Sequence, residues 1–117
     1  MANPLDETIV VDTQPAAKPV PKDADPKRQP PYHVIIWNDE VHTYEYVVEL
    51  LMKIFGYSLE KAFQITRDVD IKGRGIAFTT HKELAELKRD QILSCGPDWR
   101  MAMSEGPIRA TIEPAPD

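Results

Sequence analysis

The sequence predicts an α+β domain of order β-α-α-β-α-β, with three helices on one face of a small, mostly antiparallel three-stranded sheet. Three observations carry this. The run Tyr32-His33-Val34-Ile35-Ile36-Trp37 is dense in aromatic and β-branched residues, as strands are. Three later stretches repeat apolar residues at helical spacing behind residues that cap helices well. Finally, Ile108-Arg109-Ala110-Thr111-Ile112-Glu113 alternates apolar and polar residues strictly.

The elements follow in order. Residues 1–30 carry six prolines (Pro4, Pro15, Pro19, Pro21, Pro26 and Pro30) and little aromatic content, so a flexible Pro-rich tail is expected there. The domain is expected over 31–114 and a short C-terminal tail over 115–117. Tyr32–Trp37 is apolar enough to lie inside a sheet. Thr43 caps the first helix, Glu45 favours its first turn and Gly56 ends it, with Val47, Leu50, Leu51 and Ile54 forming the core stripe.

Ser58 caps a second helix over about Leu59–Val69, in which Leu59, Ala62, Phe63 and Thr66 share a face. Asp70–Gly75 reads as a turn and Gly75–Thr79 as a strand. The pattern Thr80-His81-Lys82-Glu83 predicts a capping box for a third helix running to about Ser94. In it Leu84, Ala85, Ile92 and Cys95 face the core, Glu83, Glu86 and Arg89 face water, and Gly96-Pro97 stops it. Trp99–Glu105 is irregular, and Pro114 and Pro116 end the structure.

Composition narrows function. The chain has 117 residues and a net charge of −5, with no basic stripe, which argues against a nucleic-acid partner held through phosphates. No segment approaches the roughly 20 apolar residues of a membrane span, and Met1–Glu7 lacks a basic n-region before an apolar core, so a cytoplasmic monomer away from membranes is expected. A single cysteine, Cys95, excludes an internal disulfide and gives no zinc signature. It is read as a packing residue.

The groups that could do chemistry gather between the first strand and the first helix. Asp39 with His42 has the form of a general-base or metal pair, with His33 a further candidate, but no activated nucleophile or metal-ligand spacing accompanies them. No metal and no cofactor is therefore expected. Asn38, Asp39 and Glu40 read better as a receptor for a cation, provided Asp70 comes near; the plainer reading is a turn leading from strand to helix.

Val34-Ile35-Ile36-Trp37-Asn38-Asp39-Glu40, then Glu45-Tyr46-Val47-Val48, Ala62, Gly73 and Glu83-Leu84-Ala85-Glu86-Leu87-Lys88 resemble the ClpS family, small adaptors of the AAA+ Clp protease. The likeness runs over Tyr32–Lys88 and resumes at Pro107–Glu113, and the family's fold has the element order derived above. It implies an adaptor, not an enzyme, that recognises substrates by a destabilising, bulky hydrophobic N-terminal residue (an N-degron) and delivers them to a Clp unfoldase.

On that resemblance, Asn38 and Asp39 grip the substrate's α-amine, and Asp70 stands where the family has an amine-binding histidine. Tyr44, Val47, Thr66, Val69 and Ile108 line the pocket for the first side chain. Glu40, His42 and Thr43 shape the loop, where the family usually has Thr-Pro in place of His42-Thr43. Glu83 and Lys88 dock on the unfoldase's N-terminal domain, and residues 1–30 serve delivery. Tyr44 and Thr66 replace the family's frequent methionines. Two alternatives stay open: a ClpS-like modulator of the unfoldase that does not read N-termini, and a small hydrolase or metal-dependent enzyme using Asp39, His42 and His33.

Overall fold

The computed structural model describes residues 29–116. The predicted tail therefore lies outside the described residues, apart from Gln29 and Pro30. The elements are β1 (Tyr32–Trp37), α1 (Tyr44–Phe55), α2 (Leu59–Lys72), β2 (Arg74–Thr80), α3 (Lys82–Leu93) and β3 (Ala110–Pro114). This is the predicted order. The sheet runs β2-β1-β3 with both pairings antiparallel. As the central strand β1 is paired along both edges, and its Val34, Ile35 and Ile36 are all fully buried.

Val34 and Ile36 join Ala77 and Ala110 under the helices, where Leu50, Leu51, Ala62, Ile65, Ala85 and Ile92 complete the core. On the opposite face Trp37 covers the sheet. Its ring lies between the guanidinium groups of Arg74 and Arg109, 5.1 and 4.5 Å from the ring centre, and its Nε1 donates to Thr111 Oγ1 at 2.8 Å.

Several boundaries differ from the sequence reading. α2 continues through Asp70 to Lys72, because its stop is Gly73, which takes φ 87° and returns its N–H to Val69 O. Asp70 thus sits in a helical last turn, not in a loop. The buried face of α2 is Ala62, Ile65, Thr66 and Val69, while Leu59 and Phe63, read as sharing a face with Ala62 and Thr66, are 63% and 48% exposed. The 62-65-66-69 spacing turns both residues outward.

Thr80 ends β2 paired with Tyr32, so the cap of α3 passes to His81, and Thr80 is no capping box. Along α3, Ala85 and Ile92 are buried, whereas Leu84 and Cys95 are only half-buried; Glu83 is exposed but Glu86 and Arg89 are partly covered. β3 begins at Ala110; Ile108, just before it, is buried in the core, and Arg109 O still accepts the Trp37 N–H at 3.1 Å. Ala115, placed in the C-terminal tail by the sequence reading, is buried and donates its N–H to Pro31 O at 2.8 Å.

One glycine fixes how closely α2 and β2 approach. A Cβ on Gly75 would lie 2.8 Å from Val69 Cγ2 and 3.3 Å from Val69 N. Gly75→Ala is therefore expected to cost about 1–3 kcal/mol by overpacking, read as a lower urea midpoint. An unchanged midpoint would show that α2 can retreat freely.

Candidate functional site

The loop between β1 and α1 is tied at both ends. Asn38 N–H donates to Gly73 O at 2.9 Å, which brings the start of the loop beside the end of α2 and therefore beside Asp70. Asp39 Oδ1 accepts the N–H of Val41 at 2.9 Å, the local turn expected of an aspartate leaving a strand. Both Asp39 oxygens also face His42 Nδ1, at 3.0 and 2.8 Å. The His42 side chain is 3% exposed and that of Asp39 32%.

His42 points its other nitrogen across the fold. Nε2 lies 2.8 Å from Gly106 O and 3.2 Å from Ser104 Oγ, and the ring packs at 4.6 Å on Tyr46. The ring thus spans from the Asp39 carboxylate on one side to Gly106 O and Ser104 Oγ on the other. Next to it, Thr43 accepts Tyr46 N–H at 3.1 Å as the N-cap of α1, as predicted. Its own N–H and hydroxyl donate to Asp98 Oδ2 at 2.7 and 2.8 Å.

Asp98 is a functional-site support that the sequence reading missed. It is buried, and its Oδ1 accepts Arg100 N–H and Nη1 at 3.0 and 3.2 Å, while its own N–H donates to Ser104 Oγ at 2.8 Å. Burial alone would raise its pKa, but the hydrogen bonds from Thr43 and Arg100 outweigh that and hold it at about 2. The irregular stretch after α3 is thus a strap across the amino-terminal end of α1, fastened at Asp98 and at Gly106. The one sequence signal was an aspartate following Gly96-Pro97 in a stretch otherwise lacking acidic residues until Glu105.

A small hollow is lined by Asn38, His42, Thr43, Tyr44, Val47, Thr66, Val69, Asp70 and Ile108 and is open to a water-sized sphere over about 20 Å³. All five predicted pocket residues meet here, with Asn38 and Asp70 beside them. Asp39 and Glu40 are not among the lining residues: the Asp39 carboxylate is turned to His42, and Glu40 is exposed. Thr66 is buried with its hydroxyl donating to Ala62 O at 2.8 Å. Asp70 Oδ2 accepts the Tyr44 hydroxyl at 2.8 Å. A roomier hollow of about 720 Å³, lined by Gln29–Pro31, Thr80–Glu83 and Glu86, is a wide groove away from these groups.

The other predicted residues lie apart. His33 bonds Thr79 Oγ1 at 2.7 Å across to β2 and is not among the hydrogen-bond partners of Asp39 or His42. Among the described residues no group of three His, Cys, Asp or Glu side chains could hold a metal, and no helix is long and apolar enough to cross a membrane. Burial pushes the Cys95 thiol pKa up. Glu83 is exposed at the start of α3, whereas Lys88 Nζ donates to Ile54 O at 2.8 Å and lies over Phe55. Five residues apart, they project about 140° from one another around the helix.

Comparison with known proteins follows the same line. The family described as ATP-dependent Clp protease adaptor protein ClpS matches residues 27–97. The ATP-dependent Clp protease adapter protein ClpS of Desulforapulum autotrophicum is 35% identical over 85 residues, 72% of this chain and 76% of the relative. That of Methylococcus capsulatus is 34% identical over 89 residues, 76% and 79%. The solved structure of Agrobacterium tumefaciens ClpS2 bound to L-phenylalaninamide is similar with a TM-score of 0.65 at 23% identity, covering 75% of this chain and all of that one.

Proposed function

The chain belongs to the ClpS family of ATP-dependent Clp protease adaptors, and from that premise we propose that it selects its cargo by a free N-terminus bearing a bulky apolar residue. It is an adaptor and not an enzyme, and its partners are a Clp unfoldase and the substrates delivered to it. The observation that carries the reading is the hollow itself. Apolar walls from α1, α2 and the segment before β3 meet under a mouth flanked by Asn38 and Asp70.

Each part has a physical role. The first side chain of the cargo lies against Val47, Val69 and Ile108, and its α-ammonium lies among the Asn38 amide oxygen, Asp70 and the exposed part of Asp39. His42 and the strap hold Asp39 in place. The similar Agrobacterium tumefaciens protein was solved with L-phenylalaninamide, a free α-amine beside an aromatic side chain, which suits this assignment. Glu83, exposed on α3, is assigned to docking on the unfoldase's N-terminal domain, with Lys88 bracing the end of α1 behind it. Residues 1–30 are assigned to delivery, and the working form is a monomer in the cytoplasm, without nucleic acid or membrane.

Labelled peptides that differ only in their first residue test the reading. Those starting with Leu, Phe, Tyr or Trp are expected to bind with affinities on the order of micromolar, and those starting with Glu or Ser at least about tenfold more weakly, because one buried large apolar side chain contributes about 1.5–3 kcal/mol. Affinities independent of the first residue, measured by fluorescence anisotropy, would overturn it.

A further inference from the structure

We propose that Tyr44 latches the hollow shut in the free protein by its hydrogen bond to Asp70, and that a cationic N-terminus opens it by taking Asp70 from the phenol. The inference rests on the reading of the hollow as an N-terminal residue pocket. It adds a specificity-determining step that the pocket's composition alone does not contain.

The geometry requires a movement. In this conformation the hollow is open to a water-sized sphere over only about 20 Å³, far less than a leucine or phenylalanine side chain needs. The walls are not what must give. Val47, Thr66, Val69 and Ile108 are each less than 5% exposed and belong to the packed interior, so displacing them would open the core. Tyr44 differs: it is only half-buried, its hydroxyl crosses to Asp70 Oδ2 at 2.8 Å, and its ring rests at 5.7 Å on Phe63, itself half exposed. Asp70 stands on the last turn of α2 and is exposed. The rim is therefore held by one hydrogen bond between two side chains that water can reach.

Chemistry decides what breaks that bond. Both the phenol and an α-ammonium make a charge-assisted bond to the Asp70 carboxylate, but only the ammonium adds a positive charge of its own, and so the attraction of an ion pair. The ammonium wins the carboxylate and releases the ring to swing out along Phe63. A blocked N-terminus brings an amide N–H with no such advantage, so it meets a closed rim. The hydrogen bond to Asp70, with burial and the nearby negative charge, raises the Tyr44 phenol pKa, which keeps it a donor through neutral pH. Since only the open fraction binds, the latch lowers the apparent affinity of every ligand by that fraction.

The test uses the whole chain with L-phenylalaninamide and N-acetyl-L-phenylalaninamide as probes. Tyr44→Phe keeps the ring and removes the latch, so it should bind L-phenylalaninamide about 3–10-fold more tightly than the wild type and associate faster. In the wild type carrying ¹³C-labelled tyrosine, the Tyr44 Cζ signal should shift on adding L-phenylalaninamide and stay put with the acetylated probe. If L-phenylalaninamide binds both proteins equally and leaves the Tyr44 signal unmoved, the latch is refuted while the pocket stands. If it binds neither protein, the pocket reading falls and the latch with it.

Discussion

Asp98→Ala is expected to lower the unfolding free energy by about 3–5 kcal/mol, a large part of the 5–15 kcal/mol typical of a small domain. The carboxylate is fully buried and accepts four hydrogen bonds, two from Thr43 and two from Arg100. Its removal leaves the N-cap of α1 and a guanidinium group that is only 19% exposed without that partner. Asp98→Asn preserves the shape and loses the charge, so a smaller drop of about 1–2 kcal/mol is expected. Urea denaturation of the three proteins at pH 7 checks the order, and equal midpoints would mean that the strap contributes nothing.

The pH dependence has a definite sign. The folded pKa of Asp98 is about 2 against an ordinary 3.8, so its carboxylate stabilises the fold above about pH 4, and that contribution disappears as the pH falls towards 2. A shift of this size corresponds to about 2 kcal/mol. The stability gap between the wild type and Asp98→Asn should therefore narrow between pH 4 and pH 2 and remain constant from pH 5 to 7. Because Thr43 adjoins His42, loosening Asp98 should also loosen the loop that carries Asn38 and Asp39.

What could be read in the sequence and what could not divide along contact distance. The caps at Thr43 and Ser58 and the stop at Gly56 are local hydrogen-bond devices, and each stands where its residue type predicts. The central place of β1 was legible because a strand buried on both faces needs the unbroken run Val34-Ile35-Ile36. Where a local signal competed with a longer-range one, it lost: Thr80 is a good cap, but its pairing with Tyr32 keeps it in the sheet. The pocket residues come from three separate stretches, and only the family likeness, not periodicity, could gather them. Nothing nearby in the sequence announces Asp98 as the partner of Thr43, 55 residues away. The same holds for His42, whose Nε2 reaches Gly106, 64 residues on, while its Nδ1 engages the Asp39 carboxylate.

Acetylating the N-terminus of a Phe-initiated peptide is expected to weaken its binding by at least about 100-fold. The free amine is charged, and each hydrogen bond it makes to Asn38, Asp39 or Asp70 contributes roughly 1.5–3 kcal/mol. Losing two such bonds alone amounts to about 3 kcal/mol, a factor of about 100 in affinity. The acetyl group adds bulk beside Asp70 without a positive charge, so the carboxylate must shed water for no partner, which increases the discrimination further. Because Asp70 is exposed and the Asp39 side chain is one-third exposed, salt should weaken the free peptide more than the acetylated one. Fluorescence anisotropy of the two peptides at low and high salt reads both effects. Equal affinities would remove the amine from the recognition event, leaving a Clp protease adaptor that does not read N-termini.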